Sequence, residues 1–323
     1  MAMIQSFRTW SKWVAGPLVF LVGCAQALAT ERPGSPSESV NRIALTTAAA
    51  SFPFNRAEAV RRQSHSARTL GVTTSLTIPL NAKVSMKFAL IPAGSFVKIA
   101  RDLGVSGKTT VGKAFYMGIH EVNQEQYEAV SQASPSHFRQ VGCPVEGVSW
   151  RDATRFCLAV SDLTGRSVRL PTESEWEYCC RAGSSNSFCN GSAVADLKKV
   201  GWCSYDGHWG SAQGTAPVCS LQPNAWGIHD MHGNVWEWCS DAFGLIEKGR
   251  ESISPGADRA TVTPEEEPYV GYRVLRGGCW YDEPTECTAS RRDWMPPGYS
   301  SFGIGFRVVA EIWPDRPPRE SRE

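Results

Sequence analysis

The amino-acid sequence predicts a loop-rich domain that mixes short strands with short helices. Its 323 residues include 12 Trp, 29 Gly and 20 Pro, a composition typical of a core held by irregular coil rather than of a helical bundle. A strand, a Pro/Gly turn and a second strand are predicted over residues 86–97, and a further strand over residues 114–119. Three later segments begin with polar residues that cap helices.

The three predicted helices each start with a pair of capping residues. The pairs are Asn123 with Gln126, Ser149 with Asp152, and Thr172 with Glu175. In each pair the first side chain can accept a bond from the backbone N–H three residues on, and the second can return the bond. Apolar residues at positions 153, 156, 157 and 160 share one helix face, and Gly165 predicts where that helix ends.

Three glutamates open the last of these helices, at Glu173, Glu175 and Glu177. Carboxylates placed together could serve as acid and base in a reaction. Carboxylates in a first turn also stabilise a helix by interacting with its dipole, and we favour this second interpretation.

The first 29 residues have the pattern of an export signal. Arg8 and Lys12 precede an apolar run over residues 14–22, which is too short to span a membrane as a mature helix. Small residues at 27–29 predict a cleavage site and a free exported protein, whereas residues 21–24 resemble a bacterial lipobox that would leave Cys24 as a lipid anchor. A single-spanning anchor is the third alternative. The sequence thus predicts an exported, periplasmic or cell-surface protein.

The remaining chain is predicted to divide into three segments. Residues 30–82 form a flexible spacer rich in Ser, Thr, Pro and Ala, residues 83–313 the folded domain, and residues 314–323 a disordered tail. Residues 244–268 have the composition of an exposed acidic insertion within the domain. The net charge is +1 and no Lys/Arg stripe exists, which argues against nucleic-acid binding, and we expect a monomer.

Ten cysteines follow Cys24, an even number that favours disulfides in an exported chain. No two of them have the Cys-x-x-Cys spacing, so a zinc ribbon or a thioredoxin-like site is not indicated.

The central segment of the domain is residues 224–241, which place three tryptophans among glycines and side-chain oxygens. Asp230, Gly233, Val235 and Glu237 offer carboxylate and carbonyl oxygens within one loop, which is the ligand chemistry of Ca²⁺. The alternative is a tryptophan-rich core with the acids turned to solvent. His229 and His232 lie three residues apart, but the segment is not helical and no third ligand is placed, so we expect structural histidines.

Four blocks together resemble one family, the formylglycine-generating enzymes or sulfatase-modifying factors. The blocks are IPAGSF (91–96), PVEGVSW (144–150) continuing to RLPTESEWEY (169–178), NAWG (224–227) with GNVWEW (233–238), and RGG (276–278) with GIGFR (303–307). They occur in the family's order over the whole predicted domain. The resemblance implies an α+β fold related to C-type lectins, with few regular elements.

The resemblance also implies metal ions. Asp230, Gly233, Val235 and Glu237 match the family's second calcium site, while the asparagine ligand of the first site is missing near residues 199–201, so one calcium is expected. Active members oxidise a sulfatase cysteine to formylglycine with O₂ and a copper ion held by two cysteine thiolates, soft ligands that select Cu⁺.

Only one residue of that copper pair is present. Cys287 matches the second copper cysteine, but Asp282 stands in the place of the first, and Cys279 replaces a serine after the RGG motif. A hairpin centred on Glu283 would set Cys279 opposite Cys287. These two cysteines could then form a displaced catalytic copper site, a disulfide or two unrelated buried thiols, and export favours the disulfide.

Two functions follow from these observations. The first is oxidation of a sulfatase-type protein or peptide substrate with copper, using Cys287 and Cys279. The second is a calcium-stabilised, lectin-like binding module that has lost the chemistry and binds an unknown ligand, because one fold supports many functions. An exposed aromatic groove including Trp280 and Trp294 would suit a peptide or a carbohydrate.

Overall fold

A computed structural model of the chain describes residues 52–100, 105–204, 214–243 and 271–312. All of them belong to the second of two compact units, Thr47–Glu323. The predicted export signal, the start of the predicted spacer, the acidic insertion and the predicted tail lie outside the described residues. Within the described ranges, no helix combines the length and the apolar character needed to cross a membrane.

Eleven strands are present in the described ranges. They are β1 (Ser75–Pro79), β2 (Ser85–Ile91), β3 (Gly94–Ala100), β4 (Val105–Val111), β5 (Phe115–Gly118), β6 (Val168–Arg169), β7 (Trp236–Ala242), β8 (Arg273–Arg276), β9 (Arg292–Met295), β10 (Ile304–Gly305) and β11 (Val309–Ala310). One antiparallel sheet has the order β1-β2-β5-β11-β6, a second has the order β10-β7-β8-β9, and β3 pairs with β4 alone. The second sheet mixes directions, because β10 runs parallel to β7 whereas β8 runs antiparallel to it.

Five helices accompany these sheets in the part of the chain that the structure describes. They are α1 (Arg56–Leu70), α2 (Gln124–Ser131), α3 (Trp150–Thr164), α4 (Glu173–Arg181) and α5 (Val194–Val200). The capping pairs predicted for α2, α3 and α4 are all confirmed as reciprocal side-chain and backbone bonds. Gly165 adopts the left-handed conformation (φ 70°) at the end of α3, as its sequence position predicts.

The prediction of a flexible spacer is wrong for residues 56–79, which form α1 and β1. Asn55 caps α1 by accepting a bond from the Glu58 N–H at 3.0 Å. Gln63 then anchors the helix to the domain, because its Nε2 donates to the carbonyls of Leu90 (2.9 Å) and Trp226 (3.1 Å). The inward face of α1 is made of alanines and a glutamine, so the helix lacks the large apolar side chains that make a helical period visible in sequence.

A second difference concerns residues 186–223, a Gly-, Ser- and Cys-rich stretch whose lack of a clear apolar period indicates irregular structure. Residues 194–200 form the short helix α5, whose preceding residue Ala193 makes no side-chain cap bond. Leu197 and Val200 are the buried residues on the inner face of α5. The absence of a polar cap explains why the helix start is not visible in the sequence.

Two apolar clusters hold the sheets and helices together. In one, Tyr127 of α2 stacks on Phe156 of α3 at 5.5 Å between ring centroids, and Phe306 meets both rings edge-on. The other contains Trp176 of α4 and Trp226 of the central segment. The central segment 224–241 and the strand-proximal residues 303–307 therefore meet in the interior of the domain.

Glu146, in the PVEGVSW block, is a fully buried carboxylate with one oxygen that has no hydrogen-bond partner among the described residues. Its Oε1 accepts a bond from the Phe138 N–H at 2.8 Å. Burial raises the pKa of this carboxyl from 4.5 to about 7, although the backbone bonds of Phe138 and His137 oppose the shift. The native state consequently retains a proton that the unfolded chain releases.

This buried acid predicts a pH-dependent stability. Between pH 4.5 and pH 7 the native state binds more protons than the unfolded state, so the free energy of unfolding falls as pH rises through that window. Glu146→Gln, which keeps an acceptor for Phe138, should remove this slope and open a gap of about 2–3 kcal/mol over the wild type by pH 8. Urea denaturation at pH 5 and pH 8 measures the gap. The exposed control Glu128→Gln should show none, and equal slopes for Glu146→Gln and wild type would contradict the assignment.

Candidate functional site

Residues 224–235 of the central segment are interior and irregular, whereas residues 236–241 belong to strand β7. Trp226 and Trp238 are buried, and Asn224 organises the turn between them by accepting bonds from the N–H groups of Trp226 (3.0 Å) and Ile228 (3.2 Å). Asp230 and Asn234 both have positive φ, at 57° and 64°. These short polar residues tolerate the left-handed region, so the segment can fold back on itself without regular pairing.

Arg307 lies at the centre of this loop and is completely buried. Its Nε donates to Glu237 Oε2 at 2.6 Å and its Nη2 donates to Glu237 Oε1 at 2.7 Å, a two-pronged ion pair. Nη2 also bonds the carbonyls of His229 (3.1 Å) and Asp230 (3.2 Å). One guanidinium thus joins the end of the GIGFR block to the loop that carries the predicted calcium ligands.

Two further carboxylates surround the same guanidinium. Glu121 accepts bonds from Asn234 Nδ2 (2.8 Å) and from the Val235 N–H (3.3 Å), and Asp230 accepts one from the Cys219 N–H (2.8 Å). Burial raises the pKa of Glu121, and the negative charges of Asp230 and Glu237 raise it further. Burial also raises the pKa of Asp230. Three buried carboxylates therefore share one cation, a group that we call the acid cluster (Glu121, Asp230 and Glu237).

The acid cluster has the donor chemistry of a calcium site. Its side chains offer oxygens, the ligands that Ca²⁺ prefers. In this structure Arg307 donates to both oxygens of Glu237, and Trp176 Nε1 donates to one of them at 2.7 Å. Asp230 and Glu237, with the carbonyls of Gly233 and Val235, would hold the ion. No group of three or more His, Cys, Asp or Glu side chains in the described ranges has a metal-site arrangement. The predicted set instead combines two carboxylates with two carbonyls, and calcium stays a prediction.

The glutamates of α4 belong to a different charged group. Glu173 is bonded by Arg292 Nε at 2.7 Å and Nη2 at 2.9 Å, and Glu177 pairs with both Arg181 and Arg276. Burial alone would raise the pKa of Glu173, but the neighbouring cations, Arg292 first, lower it to about 2. These carboxylates are held in closed ion pairs, which agrees with a structural role.

Both histidines of the segment also have structural partners. His232 is buried, with its Nδ1 2.8 Å from the Cys287 carbonyl oxygen and its Nε2 accepting a bond from the Cys189 N–H at 3.1 Å. Burial lowers the pKa of His232 to about 4, so the ring stays neutral. His229 Nδ1 lies 2.9 Å from the Leu221 carbonyl oxygen.

The segment 279–287, which carries the predicted catalytic cysteines, consists of successive tight turns. Backbone bonds join Asp282 to Cys279 (3.1 Å), Glu286 to Glu283 (2.9 Å) and Cys287 to Pro284 (3.2 Å). The predicted hairpin centred on Glu283 is therefore wrong, since no strand pair forms here. Pro284 has no N–H to donate to a ladder, and the local turn bonds replace cross-strand bonds.

Asp282, in the place of the first copper cysteine, is a buried hydrogen-bond acceptor. Its Oδ2 accepts bonds from Trp236 Nε1 (2.8 Å), the Cys279 N–H (3.0 Å) and the Cys279 thiol (3.1 Å). Burial raises the pKa of Asp282 to about 6. A hard, fully engaged oxygen suits Cu⁺ poorly, so the residues at the family's two copper positions do not fit that ion.

The two cysteines proposed for chemistry are both inaccessible. Cys279 and Cys287 are completely buried. Burial raises the pKa of the Cys279 thiol, whereas the largest cause of the raised pKa of Cys287 is a hydrogen bond with the thiol of Cys203. The closest sulfur partner of Cys287 that these contacts identify is thus Cys203, a residue that sequence spacing does not single out.

The two tryptophans proposed for an aromatic groove pack in different places. Trp280 is buried edge-on against Phe138 at 5.1 Å, and Trp294 stacks on Phe243 at 4.1 Å. They belong to separate apolar clusters. A single groove lined by both is not formed.

Comparison with known proteins shows the family to which this chain belongs. The sulfatase-modifying factor enzyme 1-like domain matches residues 77–312. This chain belongs to that family. The family's α+β, loop-rich fold is confirmed as well, since Treponema denticola variable protein 1 is similar with a TM-score of 0.64 and 26% identity, covering 74% of this chain and all of that one. PvdO from Pseudomonas aeruginosa shares the fold at a TM-score of 0.55 and 23% identity, covering 73% of this chain and 98% of its own.

The relatives that are similar to this chain are named for different functions. The formylglycine-generating enzyme of Streptomyces coelicolor is 36% identical over 177 residues, which cover 51% of this chain and 52% of that enzyme. The chain spans about half the length of the formylglycine-generating enzymes that it matches. Chaperone protein LppX of Paenibacillus barcinonensis is 28% identical over 279 residues, covering 71% of this chain and 91% of LppX.

Proposed function

We propose that this chain is a sulfatase-modifying-factor-family protein that does not oxidise cysteine and instead uses its lectin-like scaffold to bind other proteins. The observation that carries this proposal is the environment of Asp282. Three hydrogen bonds hold its carboxylate where the active enzymes place a copper thiolate. The pair of soft ligands on which the oxidation depends is therefore incomplete.

Two further observations support a binding role. Cys287 and Cys279 are sealed from solvent, so a substrate thiol would have no direct path to either sulfur in this conformation. The match covers 91% of chaperone protein LppX, whereas it covers 45% of the bovine formylglycine-generating enzyme. We therefore propose a protein client as the partner. We also propose that the chain is exported to the periplasm or the cell surface.

The second candidate is formylglycine-type oxidation of a sulfatase-like protein substrate, with O₂ and copper. It is favoured by Cys287, which matches one copper cysteine, and by Cys279, whose thiolate form would raise the pKa of the nearby Cys287 thiol. It requires that the turns of 279–287 rearrange to expose both sulfurs.

A two-part assay separates these candidates. The purified chain is first incubated with Cu⁺, O₂ and a sulfatase-type cysteine peptide, beside the Streptomyces coelicolor enzyme as positive control. We expect no loss of peptide cysteine, and conversion abolished by Cys287→Ala would overturn the proposal in favour of oxidation. The chain is then added to a thermally unfolding client protein. We expect dose-dependent suppression of light scattering relative to serum albumin, and no suppression would contradict the binding role.

We also propose one calcium ion at Asp230, Gly233, Val235 and Glu237. If Ca²⁺ binds the native state at about 100 times its dissociation constant, chelation should lower the Tm by about 5–10 °C. Differential scanning calorimetry with and without EDTA measures the shift. Asp230→Ala should lose the response, whereas Glu128→Ala, an exposed acid on α2, should keep it. A wild-type Tm that does not change when EDTA is added would contradict calcium binding.

A further inference from the structure

The region around Cys287 contains a second thiol brought in from a distant part of the chain. Cys203 follows α5 in a stretch that runs against the central segment, with the Trp202 N–H bonded to the His232 carbonyl at 3.0 Å and the Asn234 N–H bonded to the Trp202 carbonyl at 2.7 Å. On its other side the Ser204 N–H donates to the Asp282 carbonyl at 2.9 Å. The backbone before Cys203 is therefore held against the central segment, and the backbone after it is held against the segment that carries Cys287.

The two thiols meet in a closed apolar pocket. Cys203 and Cys287 form a small buried cluster with Phe188 and Leu197, and their exposed fractions are 2% and 0%. The interaction between these two thiols is also the largest cause of the raised pKa of Cys287. Gly278 closes the other side, since a Cβ there would lie 2.6 Å from Cys287 Sγ.

The neighbouring thiol has a different partner. Cys279 Sγ donates to Asp282 Oδ2 at 3.1 Å, a bond that holds it on the carboxylate. The local contacts thus separate the three cysteines of this region into one pair, Cys203 with Cys287, and one thiol bonded to an acid.

We propose that Cys203 and Cys287 form a disulfide when the chain folds in an oxidising compartment. A disulfide needs two sulfurs about 2 Å apart, and thiols already in mutual contact within a fixed backbone require little movement to reach that distance. Cys279, which the sequence offers as the partner of Cys287, remains a thiol.

The reaction is thiol–disulfide exchange with an external disulfide, such as a periplasmic oxidase or oxidised glutathione. One of the two thiols loses its proton and attacks the external disulfide, forming a mixed disulfide and releasing one external thiolate. The second thiol loses its proton and displaces the other external thiolate, closing the Cys203–Cys287 bond. The pair loses two protons and two electrons, and the external disulfide is reduced to two thiols. Because the pair is sealed in the folded domain, this exchange takes place before folding is complete.

The disulfide would have a consequence for the family's chemistry. It would consume the one sulfur that matches a copper ligand, and it would join the turns of 279–287 to residues 201–204 across the central segment. This inference goes beyond the proposed function, which rests on Asp282 and stands whether or not Cys287 is oxidised.

Peptide mapping of the full chain tests the pair. The chain is expressed with its leader into a bacterial periplasm, denatured in acid, and its free thiols are alkylated before digestion and mass spectrometry with and without reductant. We expect a linked peptide containing Cys203 and Cys287 that separates on reduction, while Cys279 is alkylated without reductant. A link between Cys279 and Cys287, or free alkylation of Cys203 and Cys287 in every molecule, would overturn the proposal.

Three variants provide a second readout. Cys203→Ser and Cys287→Ser should lower the Tm by similar amounts, and the double variant should lower it no further than either single change, because each removes the same bond. Cys279→Ser is the matched buried control and should leave the Cys203–Cys287 link in the map. Additive losses in the double variant would contradict a shared bond.

Discussion

Replacing Arg307 with methionine should lower the free energy of unfolding by about 3–5 kcal/mol, enough to prevent folding of a marginally stable domain. The guanidinium is the cation that faces all three carboxylates of the acid cluster, and it is completely buried. Methionine preserves apolar volume but leaves Glu237 without its two charge-assisted bonds. Uncompensated buried charge is among the largest single-residue penalties in proteins.

Urea denaturation followed by tryptophan fluorescence measures this loss. Arg155→Met on α3 is the matched control, because Arg155 pairs with Asp152 on the surface and 72% of its side chain is exposed. An exposed pair should change stability by about 0.5 kcal/mol. Arg307→Lys, which keeps the charge but loses the planar fork, should fall between the two. Equal stability of Arg307→Met and Arg155→Met would show that Arg307 does not hold the cluster together.

Gly233→Ala should be the most damaging single-atom addition in the central segment, costing about 3 kcal/mol or more. Gly233 has φ 82°, and a Cβ there would lie 2.1 Å from the Trp202 carbonyl oxygen. Because that oxygen belongs to backbone bonded to Asn234, relief requires the two chain segments to separate. Strain and clash act together at this position.

The chain supplies a control that isolates the clash. Gly227 has nearly the same φ, 81°, but no atom lies within 4 Å of its hypothetical Cβ. Gly227→Ala should therefore cost only the left-handed conformation, about 1–2 kcal/mol. Thermal unfolding of both variants gives the difference directly, and two equal losses would show that Trp202 and Gly233 do not approach this closely in solution.

Local signals account for the parts of the fold that the sequence predicts well. Each capping box spans four residues, so Asn123, Ser149 and Thr172 could be placed at helix starts without knowledge of the rest of the chain. Strands β2 and β3 are equally visible, because apolar runs and a Pro/Gly turn lie within residues 86–97. Helix α1 has no visible apolar period in the sequence, because alanine and glutamine form its buried face.

The features of the site depend on contacts between distant residues. Glu121 meets Asn234 across 113 positions, and Arg307 meets Glu237 across 70, so neither contact leaves a pattern in a short window. The family resemblance located the loop that they surround, but it did not reveal the arginine at its centre. The contact between Cys203 and Cys287 could not be predicted for the same reason, because motif matching relates Cys287 only to its neighbours in the 279–287 segment.

An anaerobic Cu⁺ titration tests most directly whether this chain has lost copper binding. The full chain, gently reduced, is titrated against a competing chelator beside Cys287→Ala and Asp282→Cys. We expect the wild type and Cys287→Ala to be indistinguishable, with no stoichiometric copper, because Asp282 supplies an oxygen where a thiolate is needed. Tight one-to-one binding by the wild type that disappears in Cys287→Ala would contradict the proposal and restore the oxidase.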